Sequence, residues 1–488
     1  MKRLLIVFML LALVVSAVAC GNKNENNKPA GTTTPPVVDT PESTDIKPNL
    51  PTVNYDGRDY RVHMNAGKNY EFFIEEDSEN PLQSALWRRN ATVEDTYGVE
   101  IKPIYNETAE NLYSHVDEII TAFYVEEDTF DVTATMVVAS GRLVLNGTLV
   151  DWSSQKYNQL NAKWWLNGAN DQFEIFGSIY TAVGSTCISA LRYTYAMMYN
   201  KTMGDGINGG ITDDIYEAID GGTWTMDYFT DLTSEIYNDI DDTNGPSDND
   251  QYGFVAENLT NLDVYSQAFK LPMLTSSETD GIVFSYPTER LYTAVDKVLT
   301  LYQANGSRIF STAGLEGYSF NHNNALFATM RIETAIGGGL ELMEDVYTIL
   351  PYPMLDDKQE NYYSGVMDNY TVLGLYKLAP DYEFASIITE AMNIEATKTL
   401  YPAYYDEALC KKYVTDERYV EMVDIVLEGR RFDMGTLFQE NLSRVSMMFR
   451  DVVRSGRNVM KEYLDASIEN VNSGITSIIT AYKENIEK

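Results

Sequence analysis

The chain has 488 residues, with 36 Lys and Arg against 72 Asp and Glu, and a formal charge of -36. Such a surface is repelled by nucleic acid and by anionic lipid headgroups, which excludes both as ligands. Hydrophobic residues make up 44% of the chain, which suffices for two or three cored domains and excludes disorder outside the N-terminal stretch.

The chain opens with Lys2 and Arg3, an apolar run from Leu4 to Val15, and the small residues Ser16, Ala17, Val18 and Ala19 before Cys20. That order is a secretory signal, and the run is shorter than the roughly 20 residues a membrane span needs. A cysteine directly after Ala19 makes residues 1–20 look like a bacterial lipoprotein signal peptide, with Cys20 as the lipid attachment point and the cell membrane's outer face as the location. Losing Lys2 and Arg3 with the signal takes the formal charge from -36 to near -38. Residues 21–54 carry Pro29, Pro35, Pro36, Pro41, Pro48 and Pro51 among Asn, Thr and Lys, with little to bury. They read as a disordered leash.

The body then alternates strand and helix signals. Tyr60 to Met64 reads as a strand; Asn80, Pro81 and Gln83 supply a cap, a first-turn proline and a capping-box partner for a helix that stops at Gly98. Val99 to Ile104 is a second strand, Leu112 to Phe123 a second helix, and Phe130 begins a third strand. This βαβαβ order predicts an α/β fold with mostly parallel sheets flanked by helices. Further strands are predicted at Ile179 to Ala182, Arg192 to Tyr199, Asn324 to Met330, Asp345 to Leu350 and Tyr370 to Tyr376, and helices at Met226 to Tyr237 and Thr288 to Ala304. From Pro380 onward the pattern is helical.

Few residues carry metal or nucleophile chemistry. Cys187 and Cys410 could form one disulfide or stay two buried thiols, and His63, His115 and His322 have no second His or Cys at ligand spacing. Asp239, Asp241, Asp248 and Asp250 lie in one short acidic turn, where alternate oxygens suit Ca²⁺. The glycine is displaced by one place and the twelfth-position Glu is missing, so the turn reads either as a solvated acidic turn or as a weak calcium site. No other cofactor is expected.

Several motifs, in order, resemble family 1 extracellular solute-binding proteins, the carbohydrate-binding lipoproteins of Gram-positive ABC importers. They are Tyr55-Asp-Gly-Arg-Asp-Tyr60-Arg-Val, Val93-Glu-Asp-Thr-Tyr97-Gly98-Val-Glu-Ile and Phe130-Asp-Val, then Tyr199-Asn-Lys, Gly222-Thr-Trp224-Thr-Met-Asp227 and Asp250-Gln-Tyr252-Gly253-Phe. Asn324-Ala-Leu-Phe327-Ala-Thr-Met330, Thr348-Ile-Leu-Pro351-Tyr-Pro353 and Pro402-Ala-Tyr-Tyr405 complete the set. The resemblance implies a two-lobed periplasmic-binding-protein-like fold of type II with a helical C-terminal region. Lobe one would be 55–182 plus 319–365, and lobe two 183–318 plus 366–488. It also implies a carbohydrate ligand, an importer permease as partner, a lipid anchor in the membrane, and a monomer.

A sugar site wants flat rings for CH faces and polar groups for hydroxyls. Trp164, Trp165 and Trp224 are candidate stacking rings, or else core anchors. Arg331 and Glu333 fall where the family's return strand meets the cleft, and Asp368, Asn369 and Tyr370 at the last crossing. Each serves either the ligand or a hinge ion pair. The segments assigned to the cleft, Val137 to Gly141, Gly184 to Ser189, Gly222 to Thr225, Met330 to Glu333 and Met367 to Tyr370, hold one base, Arg331. A neutral sugar therefore suits the charge. The rival readings are a secreted glycan-active enzyme or a binding protein serving a sensor. With 72 carboxylates a suitably spaced acid pair is no evidence, and GxSxG, HExxH and P-loop motifs are missing, so no enzyme is expected.

Overall fold

The computed structural model describes residues 46–105, 113–207, 209–240, 245–277, 279–285, 289–337, 339–340, 343–410 and 417–486. Cys20, the signal segment and most of the leash lie outside the described residues, as does Asp241. Residues 46–54, assigned to the leash, lie against the body instead. The Asn49 N–H donates to Gln159 Oε1 at 2.9 Å and Gln159 Nε2 donates back to the Lys47 carbonyl at 3.1 Å, while Ile46 and Leu50 rest on the core.

The first sheet takes β1 (Arg58–Met64), β2 (Val99–Ile104), β3 (Val132–Met136) and β4 (Leu149–Val150) from one run of chain. β1 pairs in parallel with both β2 and β3. The helix Pro81–Tyr97 between the first two forms for the expected local reasons. Asn80 caps the N–H groups of Leu82 and Gln83, Pro81 sits at the first turn, and Gly98 ends it at φ +60°, with its N–H on the Glu94 carbonyl. Asp131, 1% exposed, anchors this sheet by accepting from the Arg61 backbone N–H and from its guanidinium, both at 2.8 Å. A bidentate pair of this kind is strong because its charge is hydrogen-bonded as well as neutralised.

The second sheet starts with β5 (Tyr195–Asn200) and continues with β6 (Tyr237–Asn238), β7 (Gln251–Glu257), β10 (Ser307–Phe310), β11 (Ala325–Arg331) and β12 (Tyr347–Leu350). A separate hairpin, β8 (Leu274–Ser277) and β9 (Gly281–Phe284), leaves this lobe between β7 and β10. The sheet order is β10-β7-β11-β5-β12, with β6 beside β7. β5 and β11 are buried at nearly every position, as strands covered by helices on both faces must be. β13 (Ser364–Gly365) pairs with β15 (Arg430–Arg431), and Thr194 bridges Val366, so three chain passages lie side by side at the junction of the lobes. Between those two, β14 (Thr371–Tyr376) returns to the first sheet, whose order is β2-β1-β3-β14-β4.

That order corrects the expected lobe boundaries. β11 and β12, assigned to lobe one within 319–365, pair with β5 in the second sheet; β14, assigned to lobe two, fills the first sheet between β3 and β4. β11 between β7 and β5, and β14 between β3 and β4, are paired on both edges there, while β12 closes the second sheet beside β5. The C-terminal region also divides. The helix Met448–Arg454 rests on lobe two through Arg450 and Asp263, whereas the helix Met460–Ile486 rests on lobe one, with Tyr482 edge-on to Tyr180 at 5.1 Å and Asn485 Nδ2 donating to the Val144 carbonyl at 3.0 Å. Ile179 to Ala182, expected as a strand, forms only a single bridge from Ala182 to Leu373. Cys187 and Cys410 are two buried free thiols, the latter pushed up to about 11 by burial. Among the described residues no helix is long and apolar enough to cross a membrane.

Candidate ligand-binding cleft

In open α/β sheets ligands collect at the carboxyl ends of the parallel strands, where chain direction and loop breaks leave a crevice. Here β1 and β3 end at Met64 and Met136, and β7 and β11 end at Glu257 and Arg331. Side chains from both edges meet on the crossing segment around Tyr193. Lys68 Nζ donates to the Tyr193 hydroxyl at 2.6 Å, and the Tyr70 hydroxyl lies 3.3 Å from the same oxygen. The Arg331 guanidinium stands 5.6 Å from the Tyr193 ring centre and pairs with Glu333 at 2.9 Å. Glu333 also faces Arg192 at 3.5 Å, and Arg192 lies 4.3 Å over the Tyr70 ring. These groups close a ring of alternating charge and aromatic faces.

Behind them, Glu71 ties lobe one to both crossings. It is fully buried and accepts from the Ser189 N–H and the Thr371 hydroxyl. Arg89, equally buried, holds the chain there by donating to the Glu71 carbonyl at 2.6 Å and the Phe72 carbonyl at 3.1 Å. Burial lowers its guanidinium to about 9.

The expected residues divide into two groups. Arg331, Glu333 and Asp368 come together, whereas Tyr370 is 2% exposed and packs edge-on against Phe432 at 5.3 Å. Burial raises the Asp368 carboxyl, with Arg444 and Arg331 pulling it back. Asn369 Oδ1 and the Tyr370 hydroxyl are buried without a hydrogen-bond partner among the described residues. So is Glu257 Oε2 at the end of β7, while Glu257 Oε1 accepts from the Asn261 N–H at 2.6 Å and the Thr260 hydroxyl at 2.8 Å. Buried polar atoms left open at a strand edge suit a hydroxyl-rich ligand, since each otherwise costs about 1–3 kcal/mol.

The tryptophans go elsewhere. Trp164 and Trp165 are each 3% exposed, and their indole N–H groups donate to the two oxygens of Glu390 at 2.6 and 2.8 Å. Trp224 is fully buried, donates to the Pro351 carbonyl at 3.0 Å and packs on Tyr228, Phe229 and Phe327. Enclosed on all sides, these rings present no face to a ligand in this structure, and Gly222 to Thr225 lies with them rather than in the cleft. The aromatic faces at the cleft belong to Tyr70 and Tyr193, which the sequence reading missed. Tyr70 sits in the short 3-10 helix Ala66–Glu71, capped by Asn65, and Tyr193 at the end of the short helix Ser189–Arg192, neither of which the sequence pattern marks. The expectation of a single base is corrected too, because Lys68 and Arg192 join Arg331.

In the acidic turn, Asp250 is fully buried and accepts from the Ser247 N–H at 2.8 Å, the Tyr237 hydroxyl at 3.1 Å and the Ile240 N–H at 3.2 Å. Asp248 pairs with Arg308, and Asp239 is exposed. Among the described residues no group of three or more His, Cys, Asp or Glu could hold a metal ion.

Glu316 lies close to the cleft, near Glu257 and Arg331. Burial raises it to about 7, nearby Glu257 adds to this, and its own N–H, the Gly314 N–H and Arg331 oppose it. A carboxyl raised in the folded state keeps its proton there, so its favourable contribution is complete below the unfolded value of 4.5 and is lost as pH rises to 7. Glu316→Gln is expected to remove that slope and to stabilise the protein above pH 7 by on the order of 3 kcal/mol. Denaturant unfolding across this pH range checks it.

No family model matches the sequence, and no curated protein matches it. Solved structures do match. The chain has the two-lobed periplasmic-binding-protein-like fold. An ABC transporter solute-binding protein from Thermotoga lettingae, bound with α-D-tagatose, superposes with a TM-score of 0.53 at 13% identity, covering 86% of this chain and 100% of its own. An ABC substrate-binding protein from Listeria monocytogenes in complex with cycloalternan gives 0.53 at 13% identity, covering 88% and 99%. The galacto-N-biose/lacto-N-biose I-binding protein of a Bifidobacterium longum ABC transporter, in complex with lacto-N-biose, gives 0.55 at 8% identity, covering 86% and 98%.

Proposed function

We propose that this protein is an extracellular solute-binding protein that captures a neutral oligosaccharide between its lobes and presents it to an ABC importer. The carrying observation is the fold, shared over nearly the whole length of three solute-binding proteins solved with sugars. The cleft chemistry supports the ligand class: Lys68, Arg192 and Arg331 are set among Glu257, Glu316, Glu333 and Asp368, with Tyr70 and Tyr193 offering ring faces. Bases matched by acids leave no surplus positive charge for an anionic sugar. Hinge closure of the lobes would bury the ligand. In this reading Cys20 carries the lipid that tethers a monomer to the outer face of the cell membrane, no reaction is catalysed, and the acidic turn is at most a weak calcium site.

A thermal-shift screen of the purified protein against a glycan panel tests the core of the proposal. A neutral oligosaccharide at a hundred times its dissociation constant is expected to add about 2.7 kcal/mol of stability. Asp368→Asn and Arg331→Gln are expected to weaken that ligand by about 1–3 kcal/mol, with affinity nearly independent of salt. A panel without a binder, or a bound glycan that is cleaved, overturns the reading. Cys20→Ala is expected to release the protein from membrane to medium and abolish fatty-acid labelling; unchanged labelling refutes the tether.

A further inference from the structure

Away from the Arg331 ring, a small pocket of about 120 Å³ opens on the seam of the lobes. Gln172 of the lobe-one helix Asn167–Phe173 lines one side, Lys270 and Thr275 of lobe two another, and Arg431 and Asp433 the passage after β15. Among the described residues Arg58, Arg61, Arg142, Arg290, Arg308, Arg418 and Arg450 each pair with a carboxylate, whereas Lys270 and Arg431 do not. Their recorded side-chain partner among the described residues is one ring, Tyr363, with the guanidinium 4.1 Å and the ammonium 5.5 Å from its centre. Burial would raise the Tyr363 phenol, yet Asn361, Arg431 and Lys270 together hold it below its ordinary 10.0. The acid in the lining, Asp433, is turned to the N–H of Gly435 at 2.8 Å, where it caps a helical turn. Arg431 Nε is buried and unbonded.

We propose that Lys270 and Arg431 form a binding site for a single carboxylate or comparable oxyanion, held across the seam with Gln172 and Thr275 as neutral donors. Two cations steadied on one ring spend little entropy in closing on an anion, and the planar guanidinium offers paired N–H groups to its oxygens. The ligand is small, because the pocket admits one such group and not a sugar chain.

Calorimetry on the purified protein with acetate, sulfate and galacturonate, each at ionic strength matched with chloride, tests it. Saturable one-to-one binding is expected, weakened about tenfold or more by Lys270→Glu. Lys270 is exposed, so the variant is expected to fold. Lys297→Glu makes the same change in net charge at a lysine already paired with Asp227, and is expected to leave binding unchanged. Galacturonate binding far more tightly than acetate identifies the anion as one carried on a sugar; equal affinities identify a free anion. No binding beyond the chloride reference, or equal weakening in both variants, overturns the proposal.

Discussion

Trp224→Ala is expected to lower the stability of the protein by about 3–5 kcal/mol, the range for emptying a large buried aromatic site. The ring is fully buried against Tyr228, Phe229 and Phe327, and its N–H holds the Pro351 carbonyl at the end of β12. Removing it leaves that carbonyl unbonded and opens a void between the second sheet and the helix Met226–Thr233. Neighbours on a sheet strand cannot collapse into such a void, so most of the cavity cost remains. Denaturant unfolding measures the loss, and Trp224→Phe separates volume from the hydrogen bond by restoring most of the first. A variant as stable as the parent, but impaired in ligand binding, would return Trp224 to the cleft.

Glu390→Ala is the second large effect, with an expected cost on the order of 3–5 kcal/mol. One buried carboxylate on the helix Tyr382–Lys398 serves the indoles of Trp164 and Trp165, the Asn158 amide at 3.1 Å and the Gln159 N–H at 3.2 Å. Alanine leaves both indole N–H groups and the Gln159 N–H without this acceptor, while Asn158 Nδ2 keeps the Ser386 carbonyl at 3.3 Å. Glu390→Gln keeps one acceptor oxygen and is expected to cost less. Burial also raises the Glu390 carboxyl in spite of these donors. Part of its stabilisation is therefore lost as pH rises above the ordinary carboxylate range, and Gln removes that dependence. Near-ultraviolet circular dichroism follows the two indoles during unfolding. Trp152, bonded to the Leu373 carbonyl at 3.0 Å, packs on Trp165 at 6.0 Å and contributes to the same signal.

Both variants turn on what local sequence can and cannot encode. Asn80, Pro81 and Gly98 bound their helix through interactions within four residues, so cap, first turn and stop are legible without any partner. β2 runs over Val99–Ile104 as expected, and the lobe-one order β1, β2, β3 with intervening helices follows from the alternation of periods. Arg331, Glu333 and Asp368 are singled out through the family resemblance, which places them at a strand end and at a crossing, and not by a local signal of their own.

Strand partners are another matter. β11 and β14 carry similar runs of apolar residues, and which sheet each enters depends on unsatisfied strand edges far away in the sequence. The tertiary structure alone made that choice. It also decided the fate of the tryptophans, since an indole that stacks on a sugar and one that donates to a buried carboxylate look the same in a sequence; Glu390, more than 220 residues beyond Trp164, makes the difference. Tyr193 joins Lys68 for the same reason, across 125 positions of chain. Local dihedral and capping energies act over a few residues and are written there, whereas burial and hydrogen-bond satisfaction belong to neighbours in space, which only the folded chain brings together.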